Sequence, residues 1–331
     1  MNESLAKAAA AYKSRHVLVT GASGFIGGSL VAALADAGCF VRRHSRRILP
    51  PLDGLRARIE DVHGDPHDPG LWRDAVRGID VIFHCAAQTS AYAAVSDPAS
   101  DLRANAEFPL LILEAARVAG TRPTFVLAST ATVVGMPANL PVDETHKPNP
   151  MTAYDMGKWV AENYLELYVR LGHVTGAALR LANVYGPGAG SSSPDRGVLN
   201  QVIRLASSGK PIVLYGDGNW TRDYVFIDDV AAAFLLTGLT GARTNGKAFF
   251  VCSGTGVTVA AAFRKVVEIV RAQTGRDTTI SQAPLPEGLL PIEFRNFVGR
   301  WDALAQATGW RPTTDFDDGI ARTVAAFCSP L

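Results

Sequence analysis

The sequence predicts a doubly wound α/β fold, a parallel sheet with helices on both faces followed by a smaller C-terminal domain. Three observations lead there. A short apolar run, His16 to Thr20, opens into the glycine-spaced segment Gly21-Ala22-Ser23-Gly24-Phe25-Ile26-Gly27. Strand-like and helix-like stretches then alternate through the first half of the chain, the pattern of βαβ units. Beyond residue 185 the alternation loosens into short elements separated by loops rich in Gly, Ser and Pro.

The elements follow in order. Ser29 to Ala35 continues the glycine segment as a helix, and Cys39-Phe40-Val41 begins a second strand. Asp80 to Cys85 is an apolar strand, Asn105 to Ala119 a helix, and Thr124 to Ala128 the next strand. Thr152 to Leu171 reads as a long helix and Gly176 to Leu181 as a further strand. Residues 1–185 are therefore expected to form a nucleotide-binding domain. Residues 186–331 are expected to be mainly substrate-binding, with some segments returning to the main sheet.

Length and composition narrow the class. With 331 residues and 47% hydrophobic content the chain can bury a sizeable core, and a net charge of +1 gives no sign of a nucleic-acid or membrane partner. No apolar run reaches the roughly 18 residues of a membrane span. Met1 to Arg15 mixes Ala with Glu3, Lys7 and Lys13 and reads as a short leader to the first strand rather than a secretory signal. Cys39, Cys85, Cys252 and Cys328 share neither metal-like nor disulfide-like spacing, and three of them fall in apolar runs as core thiols. Cytoplasm is the default location. His63, His67, His84, His146 and His173 are scattered and suggest neither a metal site nor a triad.

Two segments carry the chemistry. In the glycine run, Gly21 allows a tight turn, Gly24 lets the backbone approach phosphate, and Gly27 lets helix and sheet pack closely. A pyrophosphate would then sit at the helix N-terminus among free amides of Ser23, Phe25 and Ile26, where the dipole favours negative charge. The second segment, Tyr154-Asp155-Met156-Gly157-Lys158, sets a phenol and an ammonium one helical turn apart on one face. A phenol ionises near pH 10, too high for an efficient base at neutral pH. An adjacent ammonium and a positive nicotinamide ring both lower that value. A dinucleotide grip with a Tyr/Lys pair is the equipment of hydride transfer at a carbinol.

In this order the motifs resemble the extended short-chain dehydrogenase/reductase family, in its nucleotide-sugar epimerase/dehydratase branch. The resemblance rests on Thr20 to Gly27, Gly64-Asp65-Pro66-His67-Asp68, His84-Cys85-Ala86-Ala87, Leu127 to Gly135 and the Tyr154/Lys158 pair. It continues through Leu179 to Gly188, Gly216-Asp217-Gly218, Arg222-Asp223-Tyr224, Asp228-Asp229-Val230 and Gly309-Trp310-Arg311-Pro312. It implies a Rossmann-type sheet with a small C-terminal substrate domain. It also implies that Thr130 is the hydroxyl sharing the substrate oxygen with Tyr154, since Ser129 would point to the opposite face of its strand. Asp65, with Pro66 beside it, resembles the residue that meets the adenine amino group, and Ala86 and Ala87 the ribose–nicotinamide wall. Leu181 and Val184 should flank the nicotinamide. Arg222 resembles the arginine that grips the sugar nucleotide's diphosphate. Asn183 should approach the same diphosphate or the sugar, Thr132 the sugar, and Tyr215 the nucleobase. Arg222 could instead pair with Asp228 or Asp229, and Tyr215 could be core.

Cofactor choice is read at the end of the second strand, where an Asp or Glu selects NAD and an Arg accommodates the 2′-phosphate of NADP. The stretch Arg42-Arg43-His44-Ser45-Arg46-Arg47 has no acid, and Ser45 falls 24 residues after Gly21, where the family's NAD-type acid would stand. Four arginines and a serine suit a phosphate dianion, so NADP(H) is favoured and NAD(H) remains possible.

Missing residues narrow the reaction. Thr130 is followed by Ala131 and Thr132, without the Asp-Glu of the family's 4,6-dehydratases or the Glu of its decarboxylating members. The added Cys and His that the resemblance associates with epimerisation at C3 and C5 are absent too. What remains is oxidation and reduction at one sugar carbinol, most simply C4, by a 4-epimerase that keeps its cofactor or a 4-ketoreductase that releases it. The nucleotide is unreadable: the C-terminal segment reads Arg300-Trp301-Asp302-Ala303, and Arg295 is the one substitute for a second phosphate-binding arginine. An NADP-dependent reductase of a non-nucleotide carbonyl and an NADP-sensing binding protein stay open as alternatives. The helices Asn105 to Ala119 and Tyr154 to Leu171 resemble the pair that family dimers join in a four-helix bundle. Trp159, Tyr164 and Tyr168, with Leu110, Leu113 and Val118, give them more apolar surface than one sheet contact requires, so a homodimer is expected.

Overall fold

A computed structural model describes residues 1–46, 48–49, 55–189 and 197–328. Seven strands form one parallel sheet: β1 (His16–Thr20), β2 (Phe40–His44), β3 (Arg58–Val62), β4 (Val81–His84), β5 (Thr124–Thr130), β6 (Thr175–Leu181) and, after a long excursion, β10 (Ala248–Val251). Between β6 and β10 lie β7 (Asn183–Tyr185), β8 (Ile212–Tyr215) and β9 (Thr221–Phe226); β11 (Gly256–Thr258) and β12 (Ile280–Ala283) follow. The spatial order of the large sheet is β10-β6-β5-β4-β1-β2-β3. It reverses direction at β1, with β2 on one side and β4 on the other, and this leaves a crevice beyond the carboxyl ends of the strands. Strands β11, β9 and β7 make a second sheet, and β12 pairs with β8 in a third.

Strand periodicity builds two cores. Val17 and Val19 of β1 face one side and Leu18 the other, as a period of two dictates. On the first side Leu30, Val31 and Leu34 of the helix Phe25–Leu34 meet Val230 to Leu235 of the helix Ile227–Leu239. On the second, Trp72, Phe108, Ile112, Leu113, Ala161 and Leu165 pack together. A third cluster, around Tyr185, Ile203, Phe226, Phe263 and Ile320, holds the helices Val198–Ser207, Val259–Thr274 and Phe316–Cys328 against β9.

The N-terminal segment differs from the expected leader. Glu3–Ala10 is a helix capped by the Asn2 side chain, which accepts the Leu5 amide at 2.8 Å. Leu5, Ala8, Ala9 and Tyr12 are buried against the helix Ile227–Leu239, and the Tyr12 hydroxyl donates to the Leu235 carbonyl at 2.7 Å. The spacing of those four residues is the amphipathic signal that composition alone concealed.

The expected helix Asn105 to Ala119 is Phe108–Ala119, preceded by a π-turn over Arg103–Glu107. That extra residue per turn shows Asn105 and Asp101 to Gly157 of the long helix Ala153–Arg170. A Cβ at Gly157 would lie 3.1 Å from both the Asn105 Cβ and an Asp101 carboxylate oxygen.

Candidate active site

The crevice is floored by the glycine turn. Gly21 has a φ of +67°, and a Cβ there would lie 2.7 Å from the Ala86 nitrogen, so bare backbone seats the turn against the end of β4. A Cβ on Gly27 would come 2.3 Å from the Gly21 carbonyl oxygen, which fixes helix against strand. The helix Phe25–Leu34 begins at Gly24 with no side-chain cap, leaving first-turn amides for an anion. Thr20 braces the adjoining wall: its hydroxyl oxygen accepts the Ala86 amide at 3.2 Å and lies 3.0 Å from His84 Nδ1. These residues fit a dinucleotide pyrophosphate.

At the end of β2, Ser45 is buried and donates to the Ser23 hydroxyl oxygen at 3.0 Å. Of the four arginines expected at one phosphate, Arg42 and Arg43 are drawn to carboxylates of β3. β2 runs in register with β3, so Arg42 stands beside Glu60 and Arg43 beside Asp61. Arg42 donates to Glu60 at 3.0 Å and to the Ala75 carbonyl at 2.7 Å, while Arg43 forks onto Asp61 at 2.7 and 2.8 Å. Arg46 is exposed, and Arg47 lies outside the described residues. Asp65 is exposed, with one carboxylate oxygen accepting the His67 amide at 2.9 Å, and the Pro66 carbonyl accepts the Trp72 indole N–H at 2.7 Å.

The residues expected from the sequence to handle the proton, Thr130, Tyr154 and Lys158, lie on β5 and on the helix Ala153–Arg170 packed beside it. Lys158 is 3% exposed and donates to the Ala128 carbonyl at 3.1 Å. Burial pulls its pKa down to about 8, against the raising pull of Asp101, Cys85 and Glu162. Tyr154, one turn earlier, is 7% exposed. Thr130 ends β5 with its hydroxyl oxygen 2.8 Å from that of Thr132. Ser129 turns to the other face and donates to Glu162 at 2.5 Å, and Glu162 also takes the Arg180 fork. The strand's alternation therefore leaves Thr130 for the crevice.

From there the registers lead to the second sheet. Thr130 pairs with Leu181, two residues before Asn183, and Asn183 pairs with Tyr224 of β9, two residues beyond Arg222. Val184, like Asn183, is half-buried on β7. The Arg222 guanidinium is buried and donates to the carbonyls of Thr221, Glu293 and Arg295, not to Asp228 or Asp229. Those two carboxylates are taken instead by Asn2, Thr313, Thr314 and Arg322. Tyr215 is half exposed at the end of β8, so it is not core; the next residue, Gly216, lines a cleft of about 560 Å³ with Asp217, Trp220, Gln282 and Leu285.

Sequence reading passed over Asp155. It is 1% exposed, accepts from the Thr132 hydroxyl at 2.5 Å and from the Thr152 hydroxyl at 2.8 Å. Its sequence signal was the Thr152-x-x-Asp155 spacing of a helix capping box, and the structure shows the Thr152 hydroxyl oxygen accepting the Asp155 amide at 3.1 Å. Asp101 also went unnoticed; it accepts from Gln88 at 2.8 Å and Asn105 at 2.9 Å, and burial raises its pKa, with Lys158 acting in the lowering direction.

The match to the NAD dependent epimerase/dehydratase family model spans residues 17–252, from β1 through β10. The chain belongs to that family. It is 33% identical to a UDP-glucose 4-epimerase of Mycolicibacterium smegmatis, over 94% of this chain and 97% of the relative. Its backbone superposes with a TM-score of 0.80 on the Thermus thermophilus UDP-glucose 4-epimerase in complex with NAD, at 30% identity, covering 94% of this chain and 98% of that one. RMD from Pseudomonas aeruginosa, complexed with NADPH, gives a TM-score of 0.76 at 25% identity, covering 96% and 100%. Among the described residues no group of His, Cys, Asp and Glu could hold a metal ion, and no helix is long and apolar enough to cross a membrane.

Proposed function

We propose that this chain is an NAD(P)-dependent nucleotide-sugar 4-epimerase, moving a hydride and a proton at one sugar carbinol. The observation that carries the reading is the buried set Thr130, Tyr154 and Lys158 at the end of β5, with Ala131 and Thr132 where dehydratases carry Asp-Glu. The 4-epimerases among the relatives support it.

The cofactor's pyrophosphate would lie on Gly21, Ser23, Gly24, Phe25, Ile26 and Gly27, its adenosine end near Ser45, Arg46, Asp65 and Pro66. Ala86, Ala87, Leu181 and Val184 would border its nicotinamide. Bound there, the nicotinamide supplies a hydride acceptor and donor. Tyr154 takes the carbinol proton, and Lys158 holds the phenolate form at neutral pH. Thr130 shares the carbinol oxygen, and Asn183 with Thr132 orients the sugar. Arg222, a buried guanidinium whose partners are neutral carbonyls, would bind the diphosphate as a fork. Tyr215 would lie against the base. Residues 1–185 would act as the nucleotide-binding domain and 186–331 mainly as the substrate domain.

A 4-ketoreductase is the second reading, favoured by the acid-free end of β2, by Ser45 in particular, and by the likeness to an NADPH complex. Nicotinamide absorbance during turnover separates the two. A 4-epimerase converts a nucleotide hexose with no net change in the cofactor. A ketoreductase oxidises one NADPH for each 4-keto sugar reduced. A protein that binds NADPH and turns over neither substrate would leave the sensing module standing.

A further inference from the structure

Asp155 lies inside the Tyr154–Lys158 segment, and its side chain bonds to Thr132, just past the end of β5. Its carboxylate receives the Thr132 hydroxyl at 2.5 Å on one oxygen and the Thr152 hydroxyl at 2.8 Å on the other. The Thr132 hydroxyl is the donor in that bond, so its single proton is committed to Asp155. Thr132 can then only accept from Thr130, 2.8 Å away, and the Thr130 proton is committed in turn. Thr130 already accepts the Thr132 amide at 3.2 Å. One lone pair is left to face the crevice.

We propose that Asp155 is a positioning residue that fixes the direction of the hydroxyl chain Thr130–Thr132–Asp155, so that Thr130 offers the substrate carbinol an acceptor and not a donor. The inference rests on the 4-epimerase reading above. Its consequence is that the carbinol O–H meets acceptors alone, the Thr130 oxygen and the Tyr154 phenolate. Nothing donates to its oxygen in the alcohol state, so the proton is directed toward Tyr154. Once the ketone forms, the protonated Tyr154 is the donor that meets the new carbonyl oxygen, and the same proton returns by the same route. With the chain broken, the Thr130 hydroxyl rotates freely, and its oxygen no longer holds the carbinol in the one orientation that presents its proton to Tyr154.

Thr132→Val, Asp155→Ala, their double variant and Asp155→Asn test this. Each of the first two is expected to lower kcat about 10-fold, the worth of one hydrogen bond. KM should stay level, and cofactor affinity should be unchanged. The double variant should lose no more than either single one, because the two residues act as one unit. Asp155→Asn should recover most of what Asp155→Ala loses, since its amide oxygen still accepts from Thr132 while the Thr152 oxygen accepts from the amide nitrogen. Losses that multiply in the double variant, wild-type kcat in Thr132→Val, or a lower thermal midpoint with kcat intact would each overturn the proposal. If Asp155→Ala does not fold, the isosteric Thr132→Val and Asp155→Asn carry the test. If wild type turns over no nucleotide sugar, the functional reading has failed instead, and proton NMR of the free protein decides the chain. Two slowly exchanging threonine hydroxyl protons, both lost in Thr132→Val, support it, and their absence from wild type contradicts it.

Discussion

The role proposed for Lys158 comes at the expense of stability. Its ammonium is enclosed, and burial brings its pKa from 10.5 to about 8. Between those values the unfolded chain holds a proton that the native protein has released, so stability rises with pH across the window. Below about pH 8 the native protein carries a buried charge. Lys158→Met is therefore expected to stabilise the protein at pH 7 by about 1–2 kcal/mol, part of the roughly 3 kcal/mol that such a shift represents. The gain should shrink above pH 9 while turnover is lost throughout; thermal melts across pH check it. Ser45 gives the second test at this scale. Ser45→Asp should shift binding toward NAD, because a carboxylate accepts from a ribose 2′-hydroxyl and repels a 2′-phosphate. Calorimetry showing wild type to bind NAD at least as tightly as NADP would refute that role. Residues defined by local spacing, such as Gly21 to Gly27 and the Tyr154/Lys158 pair, could be placed from sequence. Arg42, Arg43 and Asp155 could not, because their partners arrive through strand register or from a neighbouring element: Glu60 and Asp61 on β3, Thr132 just past β5.

Elements position these residues through close backbone approach. Gly157 lets the Tyr154 helix rest on the π-turn, with room for no more than a tight methyl group beside Asn105 and Asp101. Gly157→Ala gains about 1 kcal/mol of helix propensity and meets an overpacking cost of about 1–3 kcal/mol. The expected result is a thermal midpoint near or below wild type with turnover several-fold lower, since the displaced turn carries Lys158. A stabilised variant with wild-type turnover would mean that the close approach is incidental to function. Strand positions in the sheet were legible because buried parallel strands read as apolar runs. The π-turn was not, since one extra residue leaves no trace in a period of 3.6. The N-terminal helix was hidden because its alanine-rich composition resembles a linker until Leu5 and Tyr12 are seen to face the same groove.

At the scale of the whole molecule, part of the surface expected to pair with a second copy is already used within the chain. Leu113 and Tyr168 are buried in the sheet-facing core, and Trp159 packs beside Val133 and Phe297. Leu110, Tyr164 and Leu167 remain half-buried, and Val118 and Leu171 are exposed, on or beside the same two helices. A two-fold dimer through a four-helix bundle would cover them and brace the Tyr154 helix. Light scattering at micromolar concentration should give twice the 35.1 kDa of one chain; a monomer mass unchanged by NADPH removes the dimer.

The most direct test follows C4 itself by proton NMR. The protein is incubated with UDP-hexoses and GDP-hexoses, with NAD⁺ or NADP⁺ added. One substrate should give its C4 epimer, and Tyr154→Phe should slow that conversion by at least ~100-fold while cofactor affinity stays within a few-fold. Sugars left unchanged with either cofactor, or near-normal conversion by Tyr154→Phe, would contradict a Tyr154-driven epimerisation.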